Sequence, residues 1–175
     1  DGTLLHKGGD VYIGRWKADR RHGQGVFSAA DGFRYEGSWV DGRMTGTGSI
    51  TYPDGSVYVG ALKDDEPQGR GAITYPDGAT YDGEWQAGLM TGKGRATYTD
   101  GRVYEGAFLN GQPHGAGTMT QTDGYRYEGD WVNGQREGVG AAVYADGSLY
   151  KGTFKAGLRS GDGEFTTTDG FRYVG

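Results

Sequence analysis

Tyrosine returns every 23 residues without insertion or deletion, at Tyr12, Tyr35, Tyr58, Tyr81, Tyr104, Tyr127, Tyr150 and Tyr173. A strict period of this length makes one supersecondary unit the building block, stacked on copies of itself. Glycine follows each tyrosine at the second position (Gly14, Gly37 and their equivalents). Two residues further comes a large apolar residue: Trp16, Trp39, Leu62, Trp85, Phe108, Trp131 or Phe154. A Gly-x-Gly pair such as Gly46/Gly48 and a closing Asp-Gly such as Asp54-Gly55 complete the unit. The units read as 12–34, 35–57, 58–80, 81–103, 104–126, 127–149 and 150–172, after a degenerate partial unit at 1–11 and before the start of another at 173–175. The chain starts without Met and stops inside a repeat, as expected of a processed or excised piece.

Within a unit the alternation has period two, which predicts strands. Tyr52, Pro53-Asp54-Gly55 and Ser56 fit a three-residue hairpin loop, with Pro and Asp at the corners of a type I turn and Gly in the left-handed position of a bulge. That loop sets the register: Phe27 opposite Tyr35, Gly25 opposite Gly37, and Gly23 opposite Trp39. The glycine pairs then leave room for the rings as much as they form turns. At the hairpin tip the two facing columns read Ala29, Tyr52, Tyr75, Tyr98, Gln121, Tyr144, Thr167 and Phe33, Ser56, Ala79, Arg102, Tyr125, Ser148, Phe171. Each pair holds one aromatic, which implies one ring filling a shared volume from either strand. On the other face, a threonine column and the facing pairs Arg95/Glu105 and Arg70/Glu84 predict a wet surface.

Composition narrows the function classes. With 37 glycines, 34% hydrophobic residues and only 4 prolines, the chain is neither a Leu/Val-rich globule nor collagen-like. Its 13 Tyr, 6 Phe and 4 Trp argue against disorder. A net charge of −5 lacks the basic footprint of a general nucleic-acid binder. There is no cysteine for disulfide or thiol chemistry. No apolar run is long enough for a membrane helix, so a cytoplasmic or membrane-peripheral location is expected over an integral one. The fold class expected is all-β, an elongated, twisted single-layer antiparallel sheet of tandem β-hairpins.

Tyr35-Glu36-Gly37-Ser38-Trp39, then Gly42, Gly46-Thr47-Gly48 and Asp54-Gly55, resembles the MORN repeat (membrane occupation and recognition nexus). The resemblance spans nearly the whole chain. It implies a hairpin ladder with an aromatic-lined groove, a non-catalytic scaffold role in docking proteins, and self-association or phosphoinositide binding in some members. Asp19 and Asp65 stand where the pattern has glycine, and Leu62 where it has Trp. The third unit is therefore where the groove should depart most from the others.

No residues suit catalysis. Gly-x-Gly here precedes no helix, so it is no phosphate cradle, and one Asp per turn falls far short of a calcium shell. His22 and His114 lie four units apart, roughly 38 Å along such a ladder, and His6 falls in the degenerate first unit. No enzyme activity, cofactor or metal is expected. The aromatic face is the expected site, binding a partner helix or peptide with Tyr35, Trp39, Tyr81, Trp85, Tyr104, Phe108, Tyr127 and Trp131 as its lining. Homodimerisation through the terminal edge strands is a further expectation. Two ligand readings compete: phospholipid headgroups on the basic cluster Arg15, Lys17, Arg20 and Arg21, and carbohydrate stacked on the aromatic ladder.

Overall fold

The computed structural model describes residues 2–5 and 8–175, so His6 lies outside the described residues. Every regular element among them is a strand. The chain divides into two compact units, Asp1–Leu89 and Met90–Gly175. The first holds β1 (Gly2–Leu5), β2 (Val11–Lys17), β3 (Arg20–Ser28), β4 (Arg34–Val40), β5 (Arg43–Thr51), β6 (Val57–Lys63), β7 (Glu66–Thr74) and β8 (Thr80–Gln86). From β9 (Leu89–Thr97) onward come β10 (Val103–Leu109), β11 (Gln112–Thr120), β12 (Arg126–Val132), β13 (Gln135–Val143), β14 (Leu149–Lys155), β15 (Leu158–Thr166) and β16 (Arg172–Val174). In each unit the strands pair antiparallel in chain order, an open ladder of successive hairpins.

Two kinds of turn alternate. At the Asp-Gly tips the predicted register holds: Phe27 faces Tyr35, Gly25 faces Gly37 and Gly23 faces Trp39. Tyr52 N–H donates to the Ser56 carbonyl at 2.8 Å and Gly55 N–H to the Tyr52 carbonyl at 2.9 Å, with Gly55 at φ +88°. This is the type I turn with a left-handed closing residue that Pro-Asp-Gly favours. The Asp contributes more than a permitted conformation, because its Oδ1 accepts the N–H two residues on, as Asp54 does from Ser56 at 2.8 Å.

The second turn joins the strand carrying Trp39 to the Gly-x-Gly strand through two residues of positive φ, Asp41 at 50° and Gly42 at 90°, a type I′ hairpin. Here the N–H of the second turn residue leaves its own hairpin. Gly42 donates to the Arg21 carbonyl at 2.9 Å, and Gly134 to Pro113 at 2.9 Å, each reaching into the preceding repeat. Asp65, at φ 75°, occupies the glycine place in the third repeat. It adds a bond that glycine cannot make, its Oδ1 accepting Met44 N–H at 2.7 Å while its own N–H donates to the Met44 carbonyl at 3.0 Å. That extra bond offsets the left-handed cost of a side chain, of order 1 kcal/mol.

On the wet face Arg95 faces Glu105 and Arg70 faces Glu84 as the register requires. The side chain of Arg70 nonetheless reaches the diagonal Asp82 at 3.6 Å. Both residues are well exposed, so the pair contributes little.

Candidate functional site

The face opposite the threonine column is built on a bulge. Pairing between β4 and β5 shifts after Gly37: Gly37 faces Gly48 but Trp39 faces Met44, so Ser38 alone stands opposite Thr45, Gly46 and Thr47, and the extra residues lie in β5. A bulge leaves a carbonyl out of the ladder, and that group needs a donor. Tyr35 supplies it: its ring folds down onto its own strand and its hydroxyl donates to the Ser38 carbonyl at 2.8 Å. The same bond recurs at Tyr12, Tyr58, Tyr81, Tyr104, Tyr127 and Tyr150. The ring lies where side chains at Gly37 and Gly48 would otherwise be. A Cβ on Gly48 would come within 2.4 Å of the Tyr35 Cε2 atom, and one on Gly37 within 2.4 Å of its hydroxyl.

The tyrosines are cross-braced by the residue four positions on. Trp39 meets Tyr35 edge-on at 5.1 Å between ring centroids and Tyr12 of the preceding repeat at 5.5 Å. Trp85 does the same with Tyr81 and Tyr58, Trp131 with Tyr127 and Tyr104, and Phe154 with Tyr150 and Tyr127. Such contacts add about 0.5–1.5 kcal/mol each beyond area burial. The indole N–H groups of Trp39, Trp85 and Trp131 donate to the carbonyls of Gly25, Gly71 and Gly117. At Leu62 the column keeps its apolar bulk, 4% exposed, but lacks a ring.

All eight residues named from the sequence as groove lining are therefore core. Tyr35, Tyr104 and Tyr127 are 0% exposed, and the most exposed of the eight, Trp85, only 6%. Burial pushes the hydroxyls of Tyr35, Tyr58, Tyr81 and Tyr127 up to about 12. The accessible aromatic surface is a second layer of rings at the Asp-Gly tips. Phe33 and Tyr52 from successive repeats stand 6.3 Å apart, and Tyr125 and Tyr144 5.7 Å apart. Tyr52, Tyr75, Tyr98, Tyr125 and Tyr144 are half-buried. The alternating tip columns locate these rings in the sequence, although the pattern alone shows only that they fill space.

Between the tips and the type I′ turns of the second unit lies an open depression of about 750 Å³. Tyr125 and Tyr144 border it with Asp123 and Asp146, and Trp131 and Arg136 line it. The Arg136 guanidinium lies within 6 Å of the centroids of Tyr125, Tyr127 and Phe154, and donates to the Tyr125 hydroxyl and the Gly157 carbonyl. In the first unit Arg21 takes the equivalent position, 4.1 Å over the Trp39 ring with a bond to the Gly42 carbonyl. The two sit in a column that also holds Met44, Pro67, Met90, Pro113 and a third arginine, Arg159, which lies over Tyr150 and Phe165, so the repeat alignment carries the signal that sequence reasoning passed over.

The basic cluster is split in its environment. Arg21 is half-buried in the ring stack, whereas Arg15, Lys17 and Arg20 are exposed. His22 stands 3.8 Å from Asp41, and His114 Nδ1 accepts the Asn133 N–H at 3.4 Å, both at type I′ turns. Among the described residues no group of three His, Cys, Asp or Glu side chains is gathered to hold a metal, and no helix is long and apolar enough to cross a membrane.

An open antiparallel ladder, with a buried ring column on one face and a half-exposed ring layer at one set of tips, defines a hairpin-repeat protein. The MORN repeat model matches at residues 12–34, 35–57, 58–80, 81–101, 104–124, 127–149 and 150–172, and the chain belongs to the MORN repeat family. Its fold is shared with solved structures of low sequence identity. The TCP10 domain of Danio rerio CPAP is 13% identical with a TM-score of 0.58, over 99% of this chain and 82% of that one. The Drosophila melanogaster SAS-4 TCP domain, solved in complex with a proline-rich motif of Ana2, is 14% identical with a TM-score of 0.55, over 93% and 88%. The G-box domain of the microcephaly protein CPAP is 12% identical with a TM-score of 0.56, over 99% and 97%.

Proposed function

We propose that this chain is a non-catalytic protein-interaction scaffold whose partner, a helix or extended peptide, lies along the aromatic face. The observation that carries the reading is the pairing of two ring layers. Tyr35, Trp39, Tyr81 and Trp85 in the first unit, and Tyr104, Phe108, Tyr127 and Trp131 in the second, each form a buried floor that cannot rearrange cheaply beneath the half-exposed rings of the same unit. Preorganised aromatic area loses little conformational entropy on binding, which is why such residues dominate interface energetics. The MORN family membership supports a scaffold role. So does the peptide complex of the similarly folded SAS-4 domain.

The test is affinity capture from native extract with the intact chain, followed by comparison of variants that keep the fold by circular dichroism. Tyr75→Ser and Tyr144→Ser should reduce recovery of the captured partner by about tenfold. Arg70→Ser and Arg95→Ser on the wet face should leave it unchanged. Equal losses on the two faces would overturn the reading, and capture on acidic liposomes alone would favour a lipid ligand instead.

A further inference from the structure

We propose that the depression in the second unit seats a polyproline II segment carrying Lys or Arg at every third residue. The proposal rests on the protein-interaction reading above and names the chemistry of the partner.

The first argument is the charge left free at the rim. Asp123 and Asp146 each turn Oδ1 inward to accept the N–H two residues on, at 2.9 Å in both cases. Asp146 Oδ1 also takes the Ser148 hydroxyl at 2.6 Å. Neither carboxylate has a cationic partner among the described residues, and both stay exposed beside Tyr125 and Tyr144. The nearby cations are already engaged, Arg102 with Asp100 at 2.7 Å and Arg136 with the Tyr125 hydroxyl and the Gly157 carbonyl. At these two successive tips the rim therefore offers a carboxylate next to a half-exposed ring, whereas at the preceding tip Asp100 is held by Arg102. In the first unit Asp31, Asp54 and Asp77 repeat the arrangement beside Phe33, Tyr52 and Tyr75.

The second argument is the spacing. Two strands advance roughly 9.6 Å per repeat. Polyproline II returns the same face to a surface every three residues, about 9.3 Å. A β-strand returns its face about every 6.8 Å, and two turns of α-helix advance about 10.8 Å. Only the three-residue period stays in step with the tips over several repeats. The third argument is main-chain chemistry. Polyproline II makes no internal hydrogen bonds and leaves its carbonyls for outside donors, and Tyr144, Gln121 and Gln135 stand in the depression to supply them. Aromatic side chains such as Tyr125 and Tyr144 are the usual partners of pyrrolidine rings.

Calorimetric titration of the full chain with a peptide of four Pro-Pro-Lys triplets tests this. The controls are a peptide of the same composition with irregular lysine spacing, four Pro-Pro-Gln triplets, and a helical Ala-rich peptide of equal charge. The period-matched peptide should bind about tenfold more tightly than the irregular one. Asp123→Asn and Asp146→Asn keep an oxygen for the turn bond, so the fold is retained; each should weaken the matched peptide roughly two- to fivefold. Glu105→Gln on the wet face should not. Equal affinity for matched and irregular peptides, preference for the helical peptide, or indifference to both Asn variants would overturn the proposal. If the helical peptide wins and the tip variants weaken it, the scaffold reading survives without the polyproline ligand. If the matched peptide binds but Tyr144→Ser still captures the native partner in full, the scaffold reading through this face is the one that fails.

Discussion

The Tyr35 hydroxyl satisfies the Ser38 carbonyl that the bulge in the neighbouring strand leaves out of the ladder, three residues away and at 2.8 Å. A polar group thereby becomes the reason a tyrosine is needed at a position that is 0% exposed. Tyr35→Phe keeps the ring and strands the carbonyl, at an expected cost of about 1–3 kcal/mol in a urea melt. Tyr52→Phe at the half-exposed tip should change stability by less than about 0.5 kcal/mol.

Gly48→Ala should be the more severe change. The new methyl would meet Tyr35 Cε2 at 2.4 Å and its hydroxyl at 2.7 Å, so the ring must leave its bed. A loss of about 3 kcal/mol or more is expected. Gly48→Ala combined with Tyr35→Ala should lose less in thermal melting than the sum of the two single variants, because the obstruction is then gone.

Ala87 sits at φ 48° in a type I′ turn where Asn110 and Asn133 occupy the equivalent place. Ala87→Asn should stabilise the chain by roughly 0.5–1 kcal/mol, since asparagine tolerates that conformation better. The Ala87 backbone N–H, which donates to Gln68 Oε1 at 3.0 Å, is unaffected.

The tip volume is testable by rescue. Tyr52→Ala should destabilise its repeat, and adding Ser56→Phe should return much of the loss. Ser56, only 2% exposed, already lies inside the volume the ring closes. A double-mutant cycle with no coupling would refute a shared volume.

Alkaline pH should unfold the chain through its buried phenols. An unfolded tyrosine ionises near 10, whereas burial holds Tyr35, Tyr58, Tyr81 and Tyr127 up to about 12. Between those values the unfolded state has released protons that the folded state keeps, so stability falls as pH rises from about 10 to 12 and is complete below that window. Absorbance at the tyrosinate band should rise together with loss of the β-sheet signal. Independent titration before unfolding would contradict the burial.

The hairpin register was legible because it is local: Pro-Asp-Gly specifies its own turn, and the facing columns around Tyr52 and Ser56 follow from it. The bulge opposite Ser38 was not, because its two extra residues in β5 leave the period-two alternation of both strands unbroken. The burial of Trp39 was not legible for a different reason. Its burial depends on Tyr12 in the preceding repeat, and a single repeat read alone shows an open sheet face where the stacked array has rings on both sides. The tip rings were located correctly as space-fillers, but their remaining accessibility depends on neighbours that the pairing rule does not include.

The bond from Gly42 N–H to the Arg21 carbonyl has a consequence for how such a chain can change length. From Asp41-Gly42 onward, each type I′ turn is fastened to the repeat before it rather than only to its own hairpin. A one- or two-residue indel would misalign that fastening together with the bulge and the glycine bed. Gain or loss of a whole 23-residue block restores every bond with a new neighbour of the same kind. Inheritance at this locus should therefore proceed by copying or dropping entire blocks, with reading-frame-neutral small indels selected against inside them, and the number of tip sites offered to a partner would change in whole steps.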